Sequence, residues 1–109
     1  GFERGDRAEM QQALQSFQAS LDAHFALEEQ VHFPALHGLR PDFQSELGEL
    51  IREHLRFRED LARIEASLGA LEAEGAAADL LAAFRDLATR LRRHEEREEH
   101  LLARAGEAP

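Results

Sequence analysis

Apolar residues recur along this chain at alternating intervals of four and three. The first run is Met10, Leu14, Phe17, Leu21, His24, Glu28 and Val31. The second is Phe43, Leu47, Leu50, His54, Phe57, Leu61, Ile64, Leu68 and Leu71, and the third is Leu80, Phe84, Leu87, Leu91, His94, Glu98 and Leu101. Side chains at this spacing fall on one stripe of an α-helix, the stripe that bundle helices bury when they cross at small angles. Ala, Leu, Glu, Arg and Gln dominate and β-branched residues are few, which also favours helix over strand. The pattern predicts an all-α antiparallel bundle with helices over about 6–37, 41–74 and 77–104, forming a single domain over 1–109. Gly38 is expected to cap the first helix in a left-handed conformation, and Pro41-Asp42 to open the second. Gly75 is expected to break the second helix and Gly106 to end the third.

Bulk properties narrow the function. A chain of 109 residues supports one small core. It has no cysteine, which removes disulfides, thiolate metal sites and a Cys nucleophile, and fits a reducing, cytoplasmic location. Its 22 acidic and 13 basic residues give a formal charge of -9. Such a surface repels phosphate backbones and anionic lipid, so neither nucleic acid nor membrane is an expected partner.

The polar residues that interrupt the apolar stripes are His24, Glu28, His54, His94 and Glu98. Each is a residue type that binds first-row metals, and a buried carboxylate is costly unless paired or coordinated. His24 and Glu28, like His94 and Glu98, stand four apart and so project one turn from each other on the same face. Folding the helices about turns near residues 39–40 and 76 places all five at nearly one height, at ~1.5 Å per residue. A buried His–Glu hydrogen-bond network is the plainer explanation for one such pair; five groups in one layer favour metal binding. His32, His37 and His100 fall off the stripe and read as surface residues. Glu29, Glu95, Glu96 and Glu99 read as a solvated face, with Glu29 or Glu95 able to orient a ligand histidine.

These motifs resemble the hemerythrin-like HHE cation-binding domain. The resemblance rests on L-x-x-H-F-x-x-E-E-x-x-H-F-P-A-L from Leu21 to Leu36, on Glu53-His54-Leu55-Arg56-Phe57-Arg58, and on Leu91 to Leu101 with its H-x-x-x-E-E. It implies a four-helix up-and-down bundle holding non-haem iron, two ions per complete site, with zinc or manganese as alternatives. It further implies His24, His54 and His94 as terminal ligands and Glu28 and Glu98 as bridging carboxylates. The family's first helix, with its own ligand histidine, has no counterpart here. That side is expected to be a helix lost from the N-terminal side, a helix from a second copy in a homo-oligomer, or absent in a member with an incomplete site. The expected function is reversible binding of dioxygen, or sensing of oxygen, nitric oxide or iron, without turnover. A metal-free helical module that self-associates or holds a partner helix is the alternative. A di-iron oxidase ranks last, because the order here is His-x-x-x-Glu with more His than Glu.

Overall fold

The first apolar run forms one long helix with an irregularity in it. In the computed structural model, which describes residues 4–69 and 74–107, α1 spans Arg4–Leu27 and α2 spans Phe33–Leu39. A π-helical turn, Glu28–His32, joins them without a break. A π turn inserts one residue per turn and rotates everything beyond it. Buried positions along this helix accordingly run Leu14, Leu21, Phe25, Glu28 and then Phe33 and Leu36, with a step of five across the turn. The uniform 4-3 alternation is therefore corrected here: Met10 and Val31 are exposed, and Phe25 takes the inward position beside His24.

The chain then turns through Arg40 into a 3-10 turn, Pro41–Phe43, where Pro41 supplies the preset φ expected of it. α3 spans Gln44–Gly69 and α4 spans Glu74–Ala105. The expected cap at Gly38 is not found. Gly38 lies inside α2, no described glycine has positive φ, and the turn is made by Arg40 at φ -135 and ψ 81. Arg40 does more than turn the chain: its guanidinium donates to the Arg104 carbonyl at 2.7 Å, to the Glu107 carbonyl at 3.2 Å and to Asp42. It thus satisfies open carbonyls at the end of α4 and ties that end to the α2–α3 corner. Gly75, expected to break the second helix, lies within α4; α3 is described as far as Gly69, and residues 70–73 lie outside the described residues. Leu71, placed at the end of the second stripe, lies outside the described residues.

α3 is the central element. It packs against α1 on one side and α4 on the other, and α2 closes one end against both α3 and α4. The assembly is a rod of 57 × 20 × 17 Å with a radius of gyration of 17.2 Å. A sphere-like domain of this length would have about 13 Å, so the long helices lie side by side in an elongated rod. A groove of about 220 Å³ runs between α1 and α4, lined by Met10, Leu14, Phe17, Leu80, Leu81 and Phe84, with Phe17 and Phe84 edge to face at 5.7 Å. Leu27 and Val31 before α2, and Leu81 and Leu102 on α4, are also exposed.

Two apolar cores lie along the rod. One gathers Leu14, Leu21, Phe25, Phe57, Leu61 and Leu87 with their neighbours, and the other Phe33, Leu36, Phe43, Leu47, Leu50 and Leu101. The buried polar groups Glu28, His54 and His94 sit between them. No described helix is long and apolar enough to cross a membrane.

Candidate metal centre

Three helices each bring donors to the layer between the cores. α3 supplies His54, α4 supplies His94 and Glu98, and Glu28 enters at the first residue of the π turn. One ligating atom from each of these four lies within 4.8 Å of the other three. His54 Nε2 is 3.1 Å from His94 Nε2, 3.7 Å from Glu28 Oε1 and 3.9 Å from Glu98 Oε1. His94 Nε2 contacts Glu98 Oε1 directly. His54 and His94 are fully buried.

The walls are aromatic. The His54 ring is stacked on Phe25 at 3.8 Å and 10°, with Phe33 on its other side at 5.7 Å and 18°. Phe57 meets His94 edge-on at 5.4 Å. These rings exclude water and fix both imidazoles.

Behind each histidine stands a carboxylate. His54 Nδ1 is 3.1 Å from Glu29 Oε2, and Glu29 is held by Arg58, which also reaches Asp22. His94 Nδ1 is 3.2 Å from Glu53 Oε1, and Glu53 is held by Arg97. A carboxylate accepts, so each Nδ1–H donates outward and each Nε2 lone pair points into the cluster. This is how metal-binding histidines are oriented. Glu29 is one of the two orienting carboxylates considered from the sequence. Glu95 is exposed, and Glu53 was missed. Its signal was its place beside His54 on α3, at a height facing Arg97 on α4.

His24 stands apart from the four. Its side chain is 52% exposed on the open side, and its Nε2 lies 2.9 Å from Glu28 Oε1. His32, His37 and His100 are exposed.

Two inward lone pairs 3.1 Å apart repel unless a proton or a cation lies between them. Glu28 Oε1 and Glu98 Oε1 are buried and lack a well-directed hydrogen bond, although imidazole nitrogens lie close by. Unsatisfied buried oxygens facing two nitrogen lone pairs fit a hard or borderline cation, and the absence of thiolate excludes a soft one. The family comparison agrees: the model of the hemerythrin HHE cation-binding domain matches residues 2–105. The chain belongs to this family. No curated protein and no solved structure matches it. As an HHE domain it carries a cation-binding fold, and its Glu/His cluster is the place in the described structure that could hold the ion.

The two carboxylates are held unequally in the metal-free chain. Burial, together with the neighbouring Glu98, pushes Glu28 up to about 9. Burial also opposes the charge on Glu98, but without a cation the inward imidazole edges carry a proton in its place, and hydrogen bonds from His54 and His94 hold that carboxyl far below its usual range. The pair therefore keeps one proton at neutral pH. An acid raised in the folded state contributes stability in full below its ordinary value of 4.5, and loses it as pH rises toward 9. Glu28→Gln removes that dependence. In chelator, the variant should match the parent near pH 4.5 and exceed it by up to roughly 3 kcal/mol at pH 7. Urea melts across this range measure the gap, and a gap that stays constant with pH refutes the assignment.

Proposed function

We propose that this domain binds iron at the His54–His94–Glu28–Glu98 cluster and uses it to bind or sense a small diatomic molecule, dioxygen or nitric oxide. The observation that carries this is the set of four donors within 4.8 Å of one another, three buried and Glu98 half-buried, each imidazole backed by a carboxylate. In this reading His54, His94, Glu28 and Glu98 would hold the iron, and His24, beside Glu28, would add a third imidazole. Zinc or manganese would suit the same donors. Iron, when bound, supplies reversible coordination of the diatomic ligand.

The chain's own residues shape the space for that ligand. A cavity of about 60 Å³ opens beside Glu28 and Glu98, walled by Phe33, Leu36, Leu50 and Leu101 and reached past His32 and Leu102. At ~30 Å³ per water it has room for one or two small molecules and no larger substrate. Apart from Glu28, Glu98 and His32 at the mouth, the described lining is apolar and offers no hydroxyl or thiol nucleophile, which favours binding over turnover. The α1–α4 groove is closed, in this reading, by a further helix, from a second copy or from chain beyond these 109 residues.

Anaerobic loading with ferrous iron followed by metal analysis and absorption spectroscopy tests the proposal. Expected are about two irons per complete site and a visible band that develops in air. A reconstituted protein with neither, whose melting temperature ignores chelator, would instead fit a metal-free helical module, for which the open apolar groove speaks.

A further inference from the structure

Away from the metal donors, the outer edges of α3 and α4 carry two charged stripes. On α3, Glu46, Glu49, Glu53, Arg56 and Asp60 repeat at intervals of three and four; on α4, Arg90, Arg93, Arg97, His100 and Arg104 do the same. The helices run antiparallel, and the stripes meet as rungs. Arg90 pairs with Asp60 at 2.7 Å, Arg97 with Glu53, and Arg104 with Glu46 at 3.8 Å. Glu49 and His100 line one hollow between the last two of these pairs.

One rung breaks the pattern. Where an acid would face Arg93, α3 carries Arg56, and both arginines line a groove of about 520 Å³. Neither has an ion-pair partner among the described residues. Arg90 and Arg97 also line the groove, but Asp60 and Asp86 engage the first and Glu53 the second, so the guanidiniums left without a carboxylate are those of Arg56 and Arg93. Two unpaired guanidiniums thus share one groove of a chain whose total charge is -9. Like charges placed face to face weaken the helix pair, and a groove concentrates their field. Guanidinium forks match the oxygens of a phosphate group two at a time, and a dianion matches the two unpaired guanidiniums.

We propose that the Arg56–Arg93 rung binds a phosphate group, carried by free phosphate or by a small phosphomonoester. The site lies one ion pair from the metal cluster, because Arg97 on the adjoining rung holds the Glu53 carboxylate that receives His94 Nδ1–H. Phosphate that draws on the Arg97 fork loosens that carboxylate. Binding itself depends only on the ladder, and so stands independently of the metal assignment.

Thermal melts of the metal-free chain test this, with inorganic phosphate and, separately, glycerol 3-phosphate, each against chloride at matched ionic strength. At a dissociation constant of about 1 mM, 10 mM ligand weights the folded state roughly tenfold and raises the midpoint by several degrees. A rise with both ligands assigns the site to the bare phosphate group; a rise with the ester alone assigns it to a phosphomonoester. Arg93→Gln should abolish the response, and Arg92→Gln, an exposed arginine outside the groove, should keep it. Arg56→Glu is the sharper variant. It completes the ladder, so the midpoint should increase without phosphate and no longer respond to it. No rise beyond chloride with either ligand overturns the proposal, as does a rise that survives both Arg56→Glu and Arg93→Gln.

Discussion

Replacing His54 by alanine is expected to lower cation affinity by more than about 100-fold, the largest functional loss of any single substitution in this chain. His54 is the hub of the cluster: its Nε2 lies within 4 Å of His94, Glu28 and Glu98 at once. Its removal takes away one donor and also one of the two imidazoles that keep Glu98 ionised. Glu53→Gln provides the comparison. It leaves all four donors in place and weakens only the carboxylate behind His94, so its cost should be smaller, about 10–100-fold. His24→Ala should cost least in this chain, because His24 is half exposed and touches only Glu28 of the four. Competition titrations with cobalt(II) or zinc(II) against a chromophoric chelator rank the three. If His54→Ala binds as tightly as the parent, the donors lie elsewhere.

That ranking could not be drawn from spacing alone. A uniform alternation of three and four carries the first stripe through His24, Glu28 and Val31 with equal weight. It reads the helices, their order and the convergence of Glu28, His54, His94 and Glu98, because those depend on α-helical spacing within each element. It misassigns the face where the spacing changes. The step of five from Glu28 to Phe33 turns Val31 outward and sets Phe33 against His54. Before the turn, Phe25 is as compatible with Leu21 as His24 is, since it stands four residues on. Only packing decides that the phenyl ring goes in and the imidazole stays at the rim. Glu53 was hidden for a different reason. It sits beside His54 on the same helix yet serves His94 on another, a relation that needs the register of α3 against α4. Gly38 misled because glycine after a helix suggests a left-handed cap, whereas here the Arg40 guanidinium anchors the corner to α4 and the chain turns without one.

Phe25→Ala should be the most destabilising single change, at about 3–5 kcal/mol, a large share of the roughly 5–15 kcal/mol that holds a domain of this kind together. Phe25 is fully buried where the larger core meets the polar layer. One face of its ring covers His54 at 3.8 Å, Phe57 and His94 lie 6.0 Å away, and Arg58 approaches at 5.4 Å. Alanine there leaves a cavity directly against an imidazole whose two nitrogens are both engaged. Water entering that cavity competes with Glu29 and with the cluster for His54. The rod is thin and has an open side, so little surrounding structure can collapse to fill the gap. Phe25→Leu retains most of the volume but loses the stacking, and should cost less than half as much. Urea melts of the metal-free chain give the stability order, and cobalt(II) titration of the folded fraction gives the affinity order. Both should run parent, Phe25→Leu, Phe25→Ala. A Phe25→Ala midpoint equivalent to a loss under about 1 kcal/mol would place the ring outside the core. Stability that falls while affinity stays at the parent value would show that Phe25 holds the bundle together without holding His54 in place.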